Sequence, residues 1–186
     1  IEDRGHFTAH ASEGGHSDFA PLDEEMVIVR DYLRGRFPVA PGAEQYISGQ
    51  GIRNAYEALR AVGEIAGDPV TQKIDALGTG DQPAEIAAAA DHHEGCARVM
   101  RLFVRMYARF ASNAAVFFLP AGGLYLAGGI AAKNERWFRD DDLFMRTFEA
   151  NYNDRVTPLL KTTPVFLIKD YSVSLFGAAH AAVSLA

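Results

Sequence analysis

Cysteine is nearly absent: Cys96 stands alone among 186 residues, which excludes an internal disulfide and points to a reducing, cytoplasmic setting. Basic residues are outnumbered, with 18 Lys plus Arg against 24 Asp plus Glu, and the formal charge of −6 disfavours nucleic acid or a membrane surface as a principal partner. Ile1 to Ser12 lacks the apolar centre of a signal peptide. No Gly-x-Ser-x-Gly elbow occurs, and neither a P-loop nor a dinucleotide fingerprint is found. What remains is 48% hydrophobic content at ordinary domain length, enough for one globular core. The chain opens on Ile1 where Met is usual, and we expect further sequence upstream.

The uncharged run from Ala114 to Ala132 is long enough to suggest a membrane span. Pro120 and the pairs Gly122–Gly123 and Gly128–Gly129 divide it, predicting a helix end, a turn, a short buried strand over Leu124 to Ala127 and a second turn. Elsewhere His6 to Ala11 alternates as a half-buried strand does, with His6, Thr8 and His10 on one face. Helical spacing predicts helices over Pro21 to Arg36, Ile52 to Ile65, Thr71 to Leu77, Ala84 to Asp91, Glu94 to Phe118, Leu143 to Asn151 and Ser172 to Leu185. Gln45 to Ser48 is a short apolar stretch, Lys133 to Asp142 a charged segment, and Pro164 to Ile168 a further strand candidate. Helix dominates a mixture of helices and strands, so the class is α/β, leaning towards α+β. Arg98, Arg101, Arg105 and Arg109 form a stripe that reads as a solvated face, with Glu94 paired to Arg98.

Polar, backbone-permissive residues are densest at Glu13-Gly14-Gly15-His16-Ser17-Asp18-Phe19-Ala20-Pro21. Adjacent glycines let main chain approach a ligand closely, and a carboxylate with an imidazole suits hydroxyl recognition. An ordinary strand-to-helix turn, with Asp18 capping the helix, is the competing reading. His6, His10 and His16, or His92, His93 and Cys96, match no structural zinc pattern, and we read them as partly exposed histidines, with Cys96 in a helix and no motif to support a nucleophile. A second candidate is Gly122-Gly123-Leu124-Tyr125-Leu126-Ala127-Gly128-Gly129-Ile130, where Gly128 and Gly129 would suit contact with a flat group such as adenine or ribose, or would simply allow tight strand–helix packing.

Taken in order, Glu13-Gly14-Gly15-His16-x-Asp18-Phe19-Ala20-Pro21, then Glu44-x-x-Ile47-Ser48-Gly49-x-Gly51, then Gly122-Gly123-x-Tyr125-x-Ala127-Gly128-Gly129-Ile130 resemble the bacterial-type glucokinase family. That family belongs to the hexokinase and actin-like ATPase superfamily, and the similarity runs over nearly the whole chain. The resemblance implies a ribonuclease H-like, actin-like ATPase lobe with a mixed sheet and a helix-rich insertion. It implies ATP-dependent phosphorylation of glucose to glucose 6-phosphate, with ATP and Mg²⁺ as cofactors. Glu13 and His16 would meet glucose hydroxyls, Glu44 a further hydroxyl, and Gly128 and Gly129 the adenosine of ATP.

Gln50 stands where the family usually has Pro, which would loosen the turn after Glu44, and Ala132 replaces a common Pro. The family's catalytic base, an Asp in an Asn-Asp pair, and its Gly-rich phosphate turns have no counterpart here, so the catalytic residues are expected upstream and this chain alone should be inactive. Residues 1–170 would then be the C-terminal large lobe and residues 171–186 a terminal helix that packs on the N-terminal lobe. Phe176, Ala179 and Val183 give that helix an apolar stripe, and self-association through it, or through an open sheet edge, is expected. The alternative is a non-catalytic sugar-binding or regulatory protein, or a structural domain, on the same fold.

Overall fold

The computed structural model describes residues 2–3, 6–7, 10–170 and 172–185, with residues 2, 3, 6, 7, 184 and 185 described through their backbone. Two short strands, β1 (Glu2–Asp3) and β2 (His6–Phe7), pair antiparallel. The expected strand continued to Ala11, but His10 and Ala11 form none, and Thr8 and Ala9 lie outside the described residues.

The first long helix, α1 (Glu24–Arg34), begins where Asp23 Oδ1 accepts the Met26 N–H at 3.0 Å, with Glu24 and Glu25 at the positive end of the helix dipole. Met26, Val29 and Leu33, spaced three and four apart, are its buried face. Asp18 is therefore not the cap. It forms an isolated antiparallel bridge with Gly42 instead.

A single helical turn, α2 (Glu44–Ile47), replaces the apolar stretch, and α3 (Gly49–Ala61) follows at once, capped by Ser48 Oγ accepting from Gly51 N–H at 3.4 Å. Gly51 has a packing reason. A Cβ there would lie 2.2 Å from the Tyr46 carbonyl oxygen, so only glycine lets α3 start this close to α2. Gln50 sits inside the first turn of α3.

Asp68 and Thr71 make a reciprocal capping box for α4 (Pro69–Asp75), and α5 (Gln82–Ala89) follows. The centre of the molecule is α6 (Glu94–Phe118), 25 residues or about 37 Å of helix at 1.5 Å per residue. It buries Cys96, Val99, Met100, Leu102, Phe103 and Met106, among others, against α3, α5 and α9 (Leu143–Glu149).

The arginine stripe of α6 is a clamp, which corrects its reading as a solvated face. Arg105 binds both Asp23 and Glu25 at the start of α1, Arg98 binds Glu25 at 2.5 Å and Glu64 at 2.7 Å, and Glu94 pairs with Arg101 and not with Arg98. Arg105 keeps only 21% of its side chain exposed, so α1 and α6 are tied by partly desolvated ion pairs.

The apolar run divides as expected. Leu119, in a left-handed conformation, ends α6; β3 (Leu124–Leu126) follows, then α7 (Gly129–Lys133). Among the described residues no helix is long and apolar enough to cross a membrane. The charged segment folds as α8 (Glu135–Arg139) and a 3-10 turn, and α10 (Thr157–Thr162) precedes β4 (Val165–Leu167). Strands β3 and β4 pair in parallel, Leu124 with Val165 and Leu126 with Leu167, so the intervening helices form a crossover. Only Leu126 of β3 is buried. Tyr125 stays 60% exposed and stacks on Phe166 at 4.9 Å, which corrects the expectation of a buried strand. The last helix, α11 (Val173–Leu185), leaves Leu175, Phe176 and Val183 exposed.

Candidate functional site

Glu13, Gly14, Gly15 and His16 form a tight 3-10 turn in which the His16 N–H donates to the Glu13 carbonyl at 2.9 Å. The Ser17 hydroxyl donates to the Gly14 carbonyl at 2.6 Å, and Gly14 N–H to Ser12 Oγ at 3.1 Å, so the turn is held by its own short polar side chains. The Glu13 carboxylate lies 3.6 Å from the His16 imidazole, and both are open to solvent, 89% and 72% exposed.

Three contacts fasten this turn to α2. Ala43 N–H donates to the Ser17 carbonyl at 2.8 Å beside the Asp18–Gly42 bridge. Phe19 stacks on Tyr46 with ring centroids 4.3 Å apart, both rings buried. Gly42 runs against the turn's main chain: a Cβ on it would lie 2.6 Å from His16 Cα and 2.8 Å from the Gly15 carbonyl oxygen. The result is proximity. A Cβ on Gly15 would stand 3.8 Å from that of Glu44, so Glu13, His16 and Glu44, 28 to 31 positions apart in sequence, share one exposed surface.

Gly49, one residue beyond the cap of α3, faces the other way. A Cβ there would lie 3.7 Å from Ile130 Cδ1 and 4.0 Å from Pro83 Cγ. It lines a cavity of about 680 Å³, together with the apolar Ile52, Ala87, Gly129 and Ile130 and the polar Asp91, Lys133, Asn134 and Arg136. Arg136 pairs with Asp91 and lies 4.9 Å over the Trp137 ring. Gly128, at φ 111° and ψ 163°, adopts a conformation closed to other residues, and nothing lies within 4 Å of where its side chain would be.

The other sequence candidates are structural. His93 Nδ1 accepts the Cys96 N–H at 3.1 Å and caps α6, and its Nε2 lies 2.7 Å from Asp68, so the ring carries its proton on Nε2. The Thr71 amide first, and then the His93 ring, hold the Asp68 carboxyl below its usual range. Burial pushes the Cys96 thiol up to about 11, with Asp68 and Glu85 adding to it, so this thiol is protonated and inert. His10, His16 and His92 are exposed. Among the described residues no group of three or more His, Cys, Asp or Glu could hold a metal ion.

Sequence reasoning missed Gly42 and the cavity walls. Pro41-Gly42 reads as a plain connection, and the walls are alanines and isoleucines whose convergence depends on helix packing.

A family model for glucokinase matches residues 1–185. The chain belongs to the glucokinase family. It is 33% identical over 199 aligned residues to a glucokinase of Nostoc sp. (strain PCC 7120), covering 100% of this chain and 57% of that one. It is 36% identical over 172 residues to a glucokinase of Marinobacter nauticus, covering 91% and 49%. Among solved structures, a glucokinase from an Antarctic psychrotroph superposes with a TM-score of 0.74 at 25% identity, over 91% of this chain and 48% of its own. A glucokinase from Balamuthia mandrillaris gives a TM-score of 0.73 at 18% identity, over 88% and 44%, a likeness of fold. The chain thus spans about half the length of the family members it matches.

Proposed function

We propose that the gene product phosphorylates glucose to glucose 6-phosphate at the expense of ATP, and that this chain supplies the glucose-binding and adenosine-side half of the site. One observation supports the reading: α2 and the start of α3 run from the turn carrying Glu13, His16 and Glu44 to the cavity lined by Gly49 and Gly129, with only the four residues Gln45 to Ser48 between Glu44 and Gly49.

Glu13 and Glu44 accept hydrogen bonds from sugar hydroxyls, while His16 donates to one or accepts from one, according to which nitrogen carries its proton. A surface built for those hydroxyls rejects analogues that lack them, because its polar groups would be left unpaired. On the nucleotide side Ile52, Ala87 and Ile130 hold the base, and the open space at Gly128 admits the ribose. ATP brings its own divalent cation on its phosphates, and Mg²⁺ there neutralises charge during phosphoryl transfer. The base that takes the proton from the attacking hydroxyl comes from outside these residues.

The domain reading follows. Residues 1–170 form the large lobe, and α11 packs through Leu175, Phe176 and Val183 on a second lobe, which also covers the open sugar surface. Self-association through an open sheet edge or through the α11 stripe with Phe176 and Val183 is part of the same reading, as is a cytoplasmic location. The test is coupled ADP release by the complete gene product with and without hexose. Hexose-dependent release supports the assignment; calorimetric glucose binding without release leaves only a sugar-binding role and overturns it.

A further inference from the structure

A second, smaller cavity of about 350 Å³ lies next to the sugar-facing turn, lined by Arg36 and Phe37 after α1, Gln45 of α2, and Gln50, Arg53 and Asn54 of α3. Its charges are both positive. Glu57 is the carboxylate that meets them, taking one nitrogen from each guanidinium: Arg53 Nε at 3.3 Å on Oε1 and Arg36 Nη1 on Oε2. Tyr32 donates its hydroxyl to the same Oε2 at 2.8 Å, so both carboxylate oxygens are engaged and one positive charge is left over. Arg53 is only 14% exposed, which strengthens its pull on an anion.

The remaining wall is amide. Asn54, 2% exposed, donates to the Gln45 carbonyl at 2.8 Å and reaches the Gln45 side-chain oxygen at 3.4 Å. The Gln50 amide lies 2.9 Å from Asn54 Oδ1 and 2.7 Å from the Arg53 guanidinium. The Asn54 amide is spent on Gln45 and the Gln50 amide on its neighbours, so the donors offered to this space are the guanidinium nitrogens of Arg36 and Arg53 that Glu57 does not take, with the Gln45 amide beside them and Phe37 as an apolar side for a carbon skeleton. Its volume suits a small phosphorylated molecule and falls short of a nucleoside triphosphate.

We propose that this cavity binds a phosphate monoester of hexose phosphate size, at a site separate from the sugar surface and from the Gly129 cavity. Gln45 directly follows Glu44, and Asn54 holds Gln45 to α3, so a ligand that engages Gln45, Gln50 and Arg53 acts on the turn that presents Glu44. On the reading of Glu44 as a glucose ligand, occupancy therefore changes glucose affinity, and glucose changes phosphate affinity by the same factor.

The experiment is titration of the complete gene product with inorganic phosphate and with glucose 6-phosphate at constant ionic strength, followed by thermal shift and calorimetry. Chloride at the same ionic strength is the control. Wild type should show saturable binding of both phosphates at this cavity, weakened at least tenfold in Arg36→Gln; in Arg36→Gln/Arg53→Gln the inorganic phosphate signal should be lost and glucose 6-phosphate should keep only the binding due to it as product of the proposed reaction. Because Arg36→Gln and Arg53→Gln each take a partner from Glu57, Gln45→Ala is the variant that leaves the ion pairs intact, and it should weaken phosphate binding as well. Glu44→Ala should retain phosphate binding, which separates this site from the glucose assignment. Inorganic phosphate binding without any gain for glucose 6-phosphate would overturn the monoester part. A midpoint unchanged in Arg36→Gln and Gln45→Ala, or a rise that chloride reproduces, would overturn the site. Glucose affinity that ignores bound phosphate would overturn the coupling.

Discussion

Gly42→Ala tests how the sugar surface is assembled. The new methyl would stand 2.6 Å from His16 Cα and 2.8 Å from the Gly15 carbonyl, against main chain that has no rotamer with which to escape. Ordinary contact begins near 3.4 Å, so the Glu13–His16 turn must move away from α2 by something under 1 Å, opening the Asp18–Gly42 bridge. Overpacking of this kind costs about 1–3 kcal/mol. At this chain length each kcal/mol lowers the melting temperature by roughly 2–4 °C. Misplacement of catalytic geometry by about 1 Å costs on the order of 100-fold in rate. Differential scanning calorimetry and hexose-dependent ADP release by the complete gene product measure the two effects. Gly67→Ala is the control, since its added carbon would meet only the Arg60 guanidinium at 3.7 and 4.0 Å, an ordinary contact, and it should leave both unchanged. A normal melting temperature in Gly42→Ala would refute the close approach. A lowered one with unchanged glucose affinity and rate would refute the claim that this contact positions the site.

Phe103→Ala, at the buried centre of α6, should destabilise the protein by about 3–5 kcal/mol in denaturant titration while leaving the sugar surface chemically intact. Arg105→Met should cost about 1–3 kcal/mol, since it strands Asp23 and leaves Glu25 with Arg98 alone at the start of α1; a loss below about 0.5 kcal/mol would demote the clamp to an ordinary surface pair. Because the Asp68 carboxyl is held below its usual range, it adds stability that is complete above about pH 4 and lost as pH falls through the depressed value. Asp68→Asn should therefore show a shallower loss of stability in acid than the wild type. The Cys96 thiol works in the opposite direction: its contribution is complete below about pH 9 and declines as pH rises towards about 11. A thiol reagent at neutral pH should label it only at the rate of unfolding, and rapid labelling of native protein would contradict its burial.

The long-range period of α6 was readable because 25 residues repeat one apolar face, and its expected bounds, Glu94 and Phe118, are those observed. Helix starts were less legible. Asp18 and Asp23 are both plausible caps by residue type, and only Asp23 has the Met26 amide three residues ahead and Arg105 behind it. Arg98 and Arg105 pair with Glu25 across 73 and 80 positions, a distance that local charge patterning does not reach, so the stripe read as solvated. Gln45 to Ser48 is too short for its period to tell a strand from a turn of helix, and the close packing of Gly51 on Tyr46 decides for helix. In the candidate site, residue type pointed to Glu13, His16, Gly128 and Gly129 while leaving an ordinary turn or tight packing equally open, and Glu44 was named only through the resemblance. The contacts that gather them, through Gly42, Phe19 on Tyr46, and Gly49 beside Ile130, belong to the tertiary structure.

The central claim is that Glu13, His16 and Glu44 form one glucose-binding surface. Calorimetric titration of glucose into the complete gene product, wild type against Glu44→Gln, tests it most directly. The account predicts glucose binding that weakens on the order of 10- to 100-fold in the variant, as expected when a hydrogen bond to a charged group worth roughly 1.5–3 kcal/mol is lost. An unchanged dissociation constant, with the fold intact, would contradict it.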